Sequence, residues 1–284
     1  MSIVVTGATG HLGRLVIEGL LEKVPADQIT AVARSEEKAA DYAARGVKIA
    51  VADYSAPETF DNVFSAGDKV LLISGSEIGN DRVGQHKVVL EAAKAAGVVL
   101  LAYTSAPGSL TAALADDHRG TEAAILESGV TYTLLRNGWY HENYTENLAP
   151  VLEHGAVVQA AGEGRVSSAS RADYAAAAVA VLTGEGHENK TYELGGDIAW
   201  SFAEYAAEVA KQSGKEIAYS PVSVEVYTGI LTGVGLPEPV AATIAGVDAS
   251  VEKGELVVTS GDLSRLIGRP TTPIADSIAL ALKG

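Results

Sequence analysis

A glycine-rich turn near the N-terminus is the feature that most constrains the fold of this chain. Residues 3–13 read Ile-Val-Val-Thr-Gly-Ala-Thr-Gly-His-Leu-Gly, so an apolar run leads directly into Gly7, Gly10 and Gly13. An amphipathic helical pattern follows, and the next strand-like run ends at Arg34. This order is typical of the strand–turn–helix–strand unit that places a dinucleotide pyrophosphate at a helix N-terminus. The alternative is a glycine-rich turn that binds no ligand.

The composition favours a globular protein and disfavours two classes of partner. Of the 284 residues, 47% are apolar, enough for one large domain or two smaller ones. A net charge of −15 repels nucleic acid and anionic membranes. No segment reaches the ~20 apolar residues of a membrane span, the first strand begins too early for a signal peptide, and cysteine is absent. We therefore expect a cytoplasmic monomer or homodimer that binds neither nucleic acid nor membrane.

The first half of the chain alternates between strand and helix patterns. The predicted strands are 2–6, 29–34, 47–52, 69–74, 98–104 and 131–136. Their near-continuous apolar character suits a parallel sheet that is covered on both faces. We therefore predict an α/β protein with a Rossmann-type doubly wound parallel sheet. Two Ser-x-x-Glu sequences, Ser55–Glu58 and Ser201–Glu204, match the capping box, and the first predicts a helix over 57–65.

The end of the second strand indicates which dinucleotide binds. NAD-binding units usually carry an acidic residue about 20 positions after the glycines, where it bonds the ribose 2′-hydroxyl. Here that position reads Ala33-Arg34-Ser35. A guanidinium can bind a 2′-phosphate that a carboxylate would repel, so Arg34 favours NADPH over NADH unless it is an ordinary solvated arginine. The turn after the fourth strand, Ser74-Gly75-Ser76, is a second candidate for cofactor contact, or simply a turn.

The second half of the chain has a different pattern. After Arg136 the alternation stops, and segment 137–144 is dense in aromatic and amide side chains. We predict an NADP-binding domain over residues 1–154, to which 166–184 returns, and a smaller substrate-binding α/β lobe that is mostly 155–284. We expect that lobe to lie over the carboxyl edge of the sheet, where ligands of open α/β sheets bind.

Several stretches resemble a known family. They are Thr6–Gly13, Lys69–Ser74, Leu134–Tyr140, Ser170–Tyr174 and Leu266–Thr272. Over essentially its whole length the chain resembles atypical short-chain dehydrogenase/reductases of the NmrA-like group, and within it quinone reductases more than triphenylmethane-dye reductases.

The resemblance implies that NADPH is bound by the glycine turn, Arg34, the turn after the fourth strand and a later loop that borders the nicotinamide and the quinone. It also implies a contact from Arg171, for which a surface ion pair is the alternative. The cofactor-binding residues predicted in this way are Gly7, Ala8, Thr9, Gly10, His11, Leu12, Gly13, Arg34, Ser74, Gly75, Ser76, Gly138, Trp139, Tyr140, His141, Glu142, Asn143 and Arg171.

The chain lacks the catalytic pair of ordinary short-chain dehydrogenases. Those enzymes use Tyr-x-x-x-Lys, and no lysine here has a tyrosine four residues earlier. A quinone needs no such pair, because its conjugated ring accepts hydride readily and the protein mainly positions two flat rings. We therefore expect an NADPH-dependent quinone oxidoreductase that works by direct hydride transfer. The alternatives are a non-catalytic redox sensor that binds NADP(H) and a reductase of dyes or other conjugated electrophiles.

Four residues of the later loop are candidates for substrate contact. Trp139, Tyr140 and Tyr144 would line a flat slot and Asn143 would offer its amide, unless the rings form a cluster that holds the smaller lobe to the sheet. His118, early in a helix, could hydrogen-bond the substrate or donate a proton near neutral pH, or could be a surface or capping residue. We predict His118, Tyr140 and Asn143 as catalytic residues. The remaining histidines lack metal-ligand spacing, so no metal is predicted.

Overall fold

The computed structural model describes residues 2–75, 81–146 and 148–283. The strands are β1 (Ile3–Val5), β2 (Ile29–Ala33), β3 (Lys48–Val51), β4 (Lys69–Leu72), β5 (Leu100–Ser105), β6 (Tyr132–Asn137), β7 (Ala156–Gln159), β8 (Arg165–Val166), β9 (Lys190–Leu194), β10 (Trp200–Ser201) and β11 (Ala218–Pro221). The α-helices are α1 (His11–Leu21), α2 (Ala40–Ala44), α3 (Arg82–Ala96), α4 (Leu114–Ser128), α5 (Glu142–Thr145), α6 (Leu148–His154), α7 (Arg171–Thr183), α8 (Phe202–Ser213), α9 (Val224–Gly233), α10 (Glu238–Glu252), α11 (Asp262–Ile267) and α12 (Ile274–Ala281).

The main sheet is doubly wound, which confirms the predicted fold class. Its order within the described residues is β3-β2-β1-β4-β5-β6-β9. Strand β1 lies between β2 and β4 and runs parallel to both, with Val4 opposite Thr30 and Val70. The chain therefore winds from β1 out to β3 and then returns to start again at β4. Ligands of such sheets bind in the crevice where the direction of winding changes, here at the carboxyl ends of β1 and β4.

Both faces of this sheet are covered by apolar side chains. Val4, Val70 and Leu72 share one cluster with Val89 of α3 and Ile125 of α4. Since side chains alternate along a strand, their neighbours point to the opposite face, and Ile3, Val5 and Leu71 are also buried. Helices α1 and α7 contribute no residue to the cluster with α3 and α4. They contact the strands of the sheet and each other. The continuous apolar strands are thus explained by two covered faces.

The chain divides into two compact units. The first comprises Met1–Ala106, Asp117–Arg136 and Arg171–Tyr192, and the second comprises Pro107–Asp116, Asn137–Ser170 and Glu193–Gly284. These bounds differ from the predicted domains. Residues 137–154 fall in the second unit, and the segment that returns to the first unit is 171–192 instead of 166–184.

The second unit contains two small sheets and a helix with a complete cap. Strand β11 is parallel to β7, and β10 is antiparallel to β8. Helix α8 begins at the predicted capping box: the Ser201 hydroxyl accepts the Glu204 N–H at 3.3 Å, and the Glu204 carboxylate accepts the Ser201 N–H at 3.0 Å. In the described ranges, no helix combines the length and apolar character needed to cross a membrane.

The other predicted capping box, Ser55–Glu58, is wrong. A short 3₁₀ turn over Pro57–Phe60 replaces the helix predicted for 57–65, and it starts without a side-chain cap. The Asp53 carboxylate accepts the Ser55 N–H at 2.8 Å, a local bond that competes with helix formation. Asn62 then adopts a left-handed conformation with φ of 64°, which ends the helical path.

The two serines offer a matched test of the caps. We expect Ser201→Ala to lower the free energy of unfolding by about 1 kcal/mol, because the Glu204 N–H at the start of α8 loses the serine hydroxyl that accepts it. Ser55→Ala removes no cap and only an exposed bond from the Gln85 amide, so its effect should stay within about 0.5 kcal/mol. Chemical denaturation of both variants measures the difference. Equal losses would contradict the assignment of the cap.

Candidate functional site

The turn after β1 is closed by contacts that only glycine permits. Gly7 has a left-handed φ of 60°, and its carbonyl accepts the Gly10 N–H at 3.0 Å. A Cβ on Gly13 would lie 2.3 Å from the Gly7 carbonyl oxygen and 2.8 Å from the Cα of Ala8. Side chains do not approach that closely, so Gly13 allows the first turn of α1 to rest directly against the end of β1.

The N-terminus of α1 fits a phosphate group. The first N–H groups of a helix have no intrahelical acceptor, and the helix dipole favours negative charge there. Helix α1 starts at Gly10 with no side-chain cap and has no acidic residue in its first turn. Gly7, Gly10 and His11 are exposed, which leaves this edge accessible. The turn therefore suits a dinucleotide pyrophosphate held by backbone N–H groups, with Leu12 buried as part of the core.

The turn after β4 lies beside the glycine turn. The Ile73 N–H donates to the Thr6 hydroxyl at 3.2 Å, and this joins the two turns. The Ser74 N–H donates to the Thr104 hydroxyl at 2.9 Å, and the Gly75 N–H donates to Nε2 of His86, also at 2.9 Å. The structure thus brings Ser74 and Gly75 to the point where the sheet changes direction. Ser76, predicted with them, lies outside the described residues.

Two arginines of the predicted cofactor site lie at the ends of elements of the first unit. Arg34 directly follows β2, which pairs with β1, and its side chain is exposed. Arg171 is the first residue of α7 and is half-buried. The position of Arg34 at the carboxyl edge next to the glycine turn agrees with a 2′-phosphate site, but the roles of both arginines stay predictions.

His118 is a buried, neutral histidine on α4. Its Nδ1 lies 2.9 Å from the Tyr103 hydroxyl, and its Nε2 lies 3.4 Å from the guanidinium of Arg82. Because a guanidinium only donates, Nε2 must be the acceptor. Burial and the nearby Arg82 charge lower the pKa of His118 to about 3. This disfavours His118 as a proton donor near neutral pH, while its predicted hydrogen bond to substrate stays a prediction.

The predicted loop 138–144 lies in the second unit, and two of its side chains are internal. His141 is 1% exposed, with Nε2 at 3.0 Å from the Ser168 carbonyl and Nδ1 at 2.9 Å from the Ser277 hydroxyl. Tyr144 is buried and packs edge-on against Trp200, with ring centroids 5.0 Å apart. The ring of Tyr144 thus belongs to an aromatic cluster of the second unit, and its suggested role as a wall of a substrate slot stays a prediction.

The other side chains of this loop are half-buried. They are Trp139, Tyr140, Glu142 and Asn143. The backbone is held in place on both sides: the Gly138 N–H donates to the Leu194 carbonyl at 2.7 Å, and Trp139 and His141 bond to Ala169. The loop thus presents part of each of these side chains to solvent from a fixed backbone.

Sequence reasoning missed two buried groups beside the candidate site. His86 on α3 accepts the Gly75 N–H, and Arg82, one turn earlier on the same helix, pairs with Asp117 at 3.3 Å. The signal was available in the sequence: both positions fall on the face of α3 that carries Val89, Leu90 and Ala93, where a polar residue needs a partner. Among the described residues, no group of three or more His, Cys, Asp or Glu could hold a metal ion.

Comparison with known proteins gives consistent similarities along the whole chain. A family described as NAD(P)H-binding matches residues 7–185. Quinone oxidoreductase 2 of Escherichia coli (strain K12) is 48% identical over 279 residues, which cover 98% of this chain and 97% of that protein. An NADPH-dependent quinone oxidoreductase of E. coli, solved with NADPH, superimposes with a TM-score of 0.95, 47% identity and 99% coverage of both chains. The Citrobacter sp. triphenylmethane reductase, solved with NADP(H), gives 0.94 at 43% identity, covering 99% of this chain and 100% of that one.

The space around two glycines, Gly13 in the glycine turn and Gly229 in α9, predicts opposite results when each is replaced by alanine. We expect Gly13→Ala to lower the free energy of unfolding by about 1–3 kcal/mol and to abolish NADPH binding, because the new Cβ displaces α1 from the turn. Gly229→Ala in α9 meets no atom within 4 Å and should instead stabilise the protein by about 0.5–1 kcal/mol. Denaturation and cofactor titration of both variants check this. A Gly13→Ala variant with wild-type affinity would show that the contact does not shape the site.

Proposed function

Since the chain belongs to the NmrA-like group of NAD(P)H-binding proteins, we propose that it is a cytoplasmic NADPH-dependent quinone reductase, active as a monomer or homodimer. The observation that carries the proposal is the glycine turn, where an open helix N-terminus lies at the point where the sheet changes its winding direction. The residue directly after β2 is Arg34 instead of a carboxylate. The similarity to a quinone oxidoreductase that was solved with NADPH supports both the cofactor and the substrate class.

The residues of the chain would act mainly by binding and orienting. When bound, NADPH supplies a hydride from its nicotinamide ring. The N–H groups of the glycine turn and of α1 hold the pyrophosphate, and the Arg34 guanidinium holds the 2′-phosphate. Trp139, Tyr140 and Asn143, half-buried on a fixed backbone, are our candidates for contact with the quinone and the nicotinamide.

No buried histidine of the first unit is suited to supply the proton. Reduction of a quinone by hydride leaves an anionic oxygen that takes up one proton. The pKa of His118 is about 3 and that of His86 about 4, because both rings are buried near Arg82. Burial also raises the pKa of Tyr103 above its ordinary value. We therefore assign the proton to water, which is sufficient for a weakly basic phenolate.

A turnover assay tests the proposed function. Purified full-length protein should oxidise NADPH in the presence of a benzoquinone well above the uncatalysed rate, because the protein holds the two rings at hydride-transfer distance. Tight NADPH binding without turnover of any quinone would overturn the proposal and support a redox sensor. Faster turnover of a triphenylmethane dye than of every quinone would instead favour the dye-reductase class, to which the Citrobacter relative belongs.

The charge at the end of β2 should decide between NADPH and NADH. We expect Arg34→Asp to weaken NADPH binding about 100-fold, because a carboxylate replaces the partner of the 2′-phosphate, and to change NADH binding less than about threefold. Lys23→Asp, an equal charge change at an exposed site of the same unit, is the control and should leave the preference unchanged. Dissociation constants for both nucleotides provide the measurement. Equal losses for NADPH and NADH in Arg34→Asp would refute the role of Arg34.

A further inference from the structure

His86 links the turn after β4 to helix α4. It lies on α3 and is completely buried. Its Nε2 lies 2.9 Å from the backbone nitrogen of Gly75, and its Nδ1 lies 2.9 Å from the Thr121 hydroxyl. The imidazole therefore joins the candidate cofactor turn to a residue on the helix that follows β5.

Donor and acceptor chemistry fixes the state of this ring. The Gly75 N–H can only donate, so Nε2 must be an unprotonated acceptor. The Thr121 hydroxyl donates to the Asp117 carbonyl at 2.9 Å, which leaves its oxygen to accept a bond from His86. Nδ1 therefore carries the hydrogen, and the ring is neutral with both nitrogens bonded.

The surrounding groups keep the ring neutral. From its own helix it faces the Arg82 guanidinium, and burial together with that charge lowers the pKa of His86 to about 4. From β5, Tyr103 lies edge-on with ring centroids 5.4 Å apart, and beyond it lies the neutral His118 of α4. From the segment after β3, Tyr54 lies edge-on at 6.2 Å. The Asp117 carboxylate of α4 pairs with the same Arg82 guanidinium at 3.3 Å.

Side chains hold the described part of this turn at successive positions: Thr6 accepts the Ile73 N–H, Thr104 accepts the Ser74 N–H and His86 accepts the Gly75 N–H. Gly75 has no side chain to anchor it, and a Cβ there would come within 3.8 Å of Nε2. Without the imidazole, the Gly75 N–H would lose this acceptor, and Gly75 could move relative to Ile73 and Ser74, which Thr6 and Thr104 still hold. A shift of this kind would alter the site without touching the ligand.

We propose that His86 is a positioning residue for the dinucleotide site. Its imidazole accepts the Gly75 N–H and thereby keeps Gly75 in place at the edge of the crevice. The inference rests on the proposed function, because that function places NADPH at the carboxyl ends of β1 and β4, where the sheet changes its winding direction. A core histidine without this role would contribute to stability alone.

A matched pair of variants separates the two bonds of the ring. In His86→Gln the side-chain amide reaches the place of Nε2 and can still accept the Gly75 N–H, whereas in His86→Asn it reaches only the place of Nδ1. We expect both variants to lose stability. NADPH should bind to the Gln variant within about threefold of wild type and to the Asn variant about tenfold more weakly, the loss typical of one buried N–H without an acceptor.

The outcomes distinguish this inference from the proposed function. Wild-type protein that does not bind NADPH would overturn the proposed function, whereas equal affinities of the Gln and Asn variants would overturn the role of His86 alone. NMR of the wild-type protein provides a test that requires no variant. It should show His86 as the neutral Nδ1–H form from about pH 5 to pH 8 and a shift of the Gly75 amide signal on addition of NADPH. A charged ring, an Nε2–H form or an unshifted Gly75 signal would each overturn the inference.

Discussion

The contact between Gly13 and the Gly7 carbonyl is the constraint on which the candidate site depends. It lets the first turn of α1 rest on the end of β1, which places the helix N-terminus, whose first N–H groups lack intrahelical acceptors, at the carboxyl edge of the sheet. The same placement buries Leu12, Val16, Ile17 and Leu20 on the face of α1 that packs inward. Each such side chain contributes about 1.5–3 kcal/mol when fully buried, so any residue that moves α1 outward weakens the core and the site together. The binding turn is therefore held in place by the packing of the whole helix.

The opposite side of the crevice is held by polar groups instead. Gly75, His86 and Thr121 form a chain in which every donor has an acceptor, so burial carries little penalty. Arg82 differs: its bonds to Asp117 and His118 are 3.3 and 3.4 Å long, and its buried Nε has no hydrogen-bond partner. By contrast, Arg136 holds Glu122 with two bonds of 2.7 and 2.9 Å. Arg136 is thus the more tightly paired of the two arginines.

The sequence predicted the sheet and the glycine turn because both are local patterns. The apolar strands and the positions of Gly7, Gly10 and Gly13 can be recognised from residues that are close along the chain. The structure contains both the predicted strands and the predicted turn. The two Ser-x-x-Glu sequences show the limit of such patterns: Ser201 forms the cap, whereas at Ser55 the side chain of Asp53 takes the local N–H. His86 was missed because its partners, Gly75 and Thr121, are 11 and 35 residues away. The division into units was also beyond local reasoning, because segments 107–116 and 171–192 are assigned by contacts between residues distant in sequence.

The loop after β6 carries two kinds of side chain, some enclosed in the second unit and others half-buried. His141 and Tyr144 are enclosed by Ser168, Ser277 and the ring of Trp200, so a change at either position would leave unpaired polar groups or a cavity. Trp139, Tyr140 and Asn143 are half-buried, and their backbone is held by bonds that involve no side chain of theirs. The proposed substrate contacts therefore lie on side chains that are partly open to solvent, whereas His141 and Tyr144 of the same loop are enclosed.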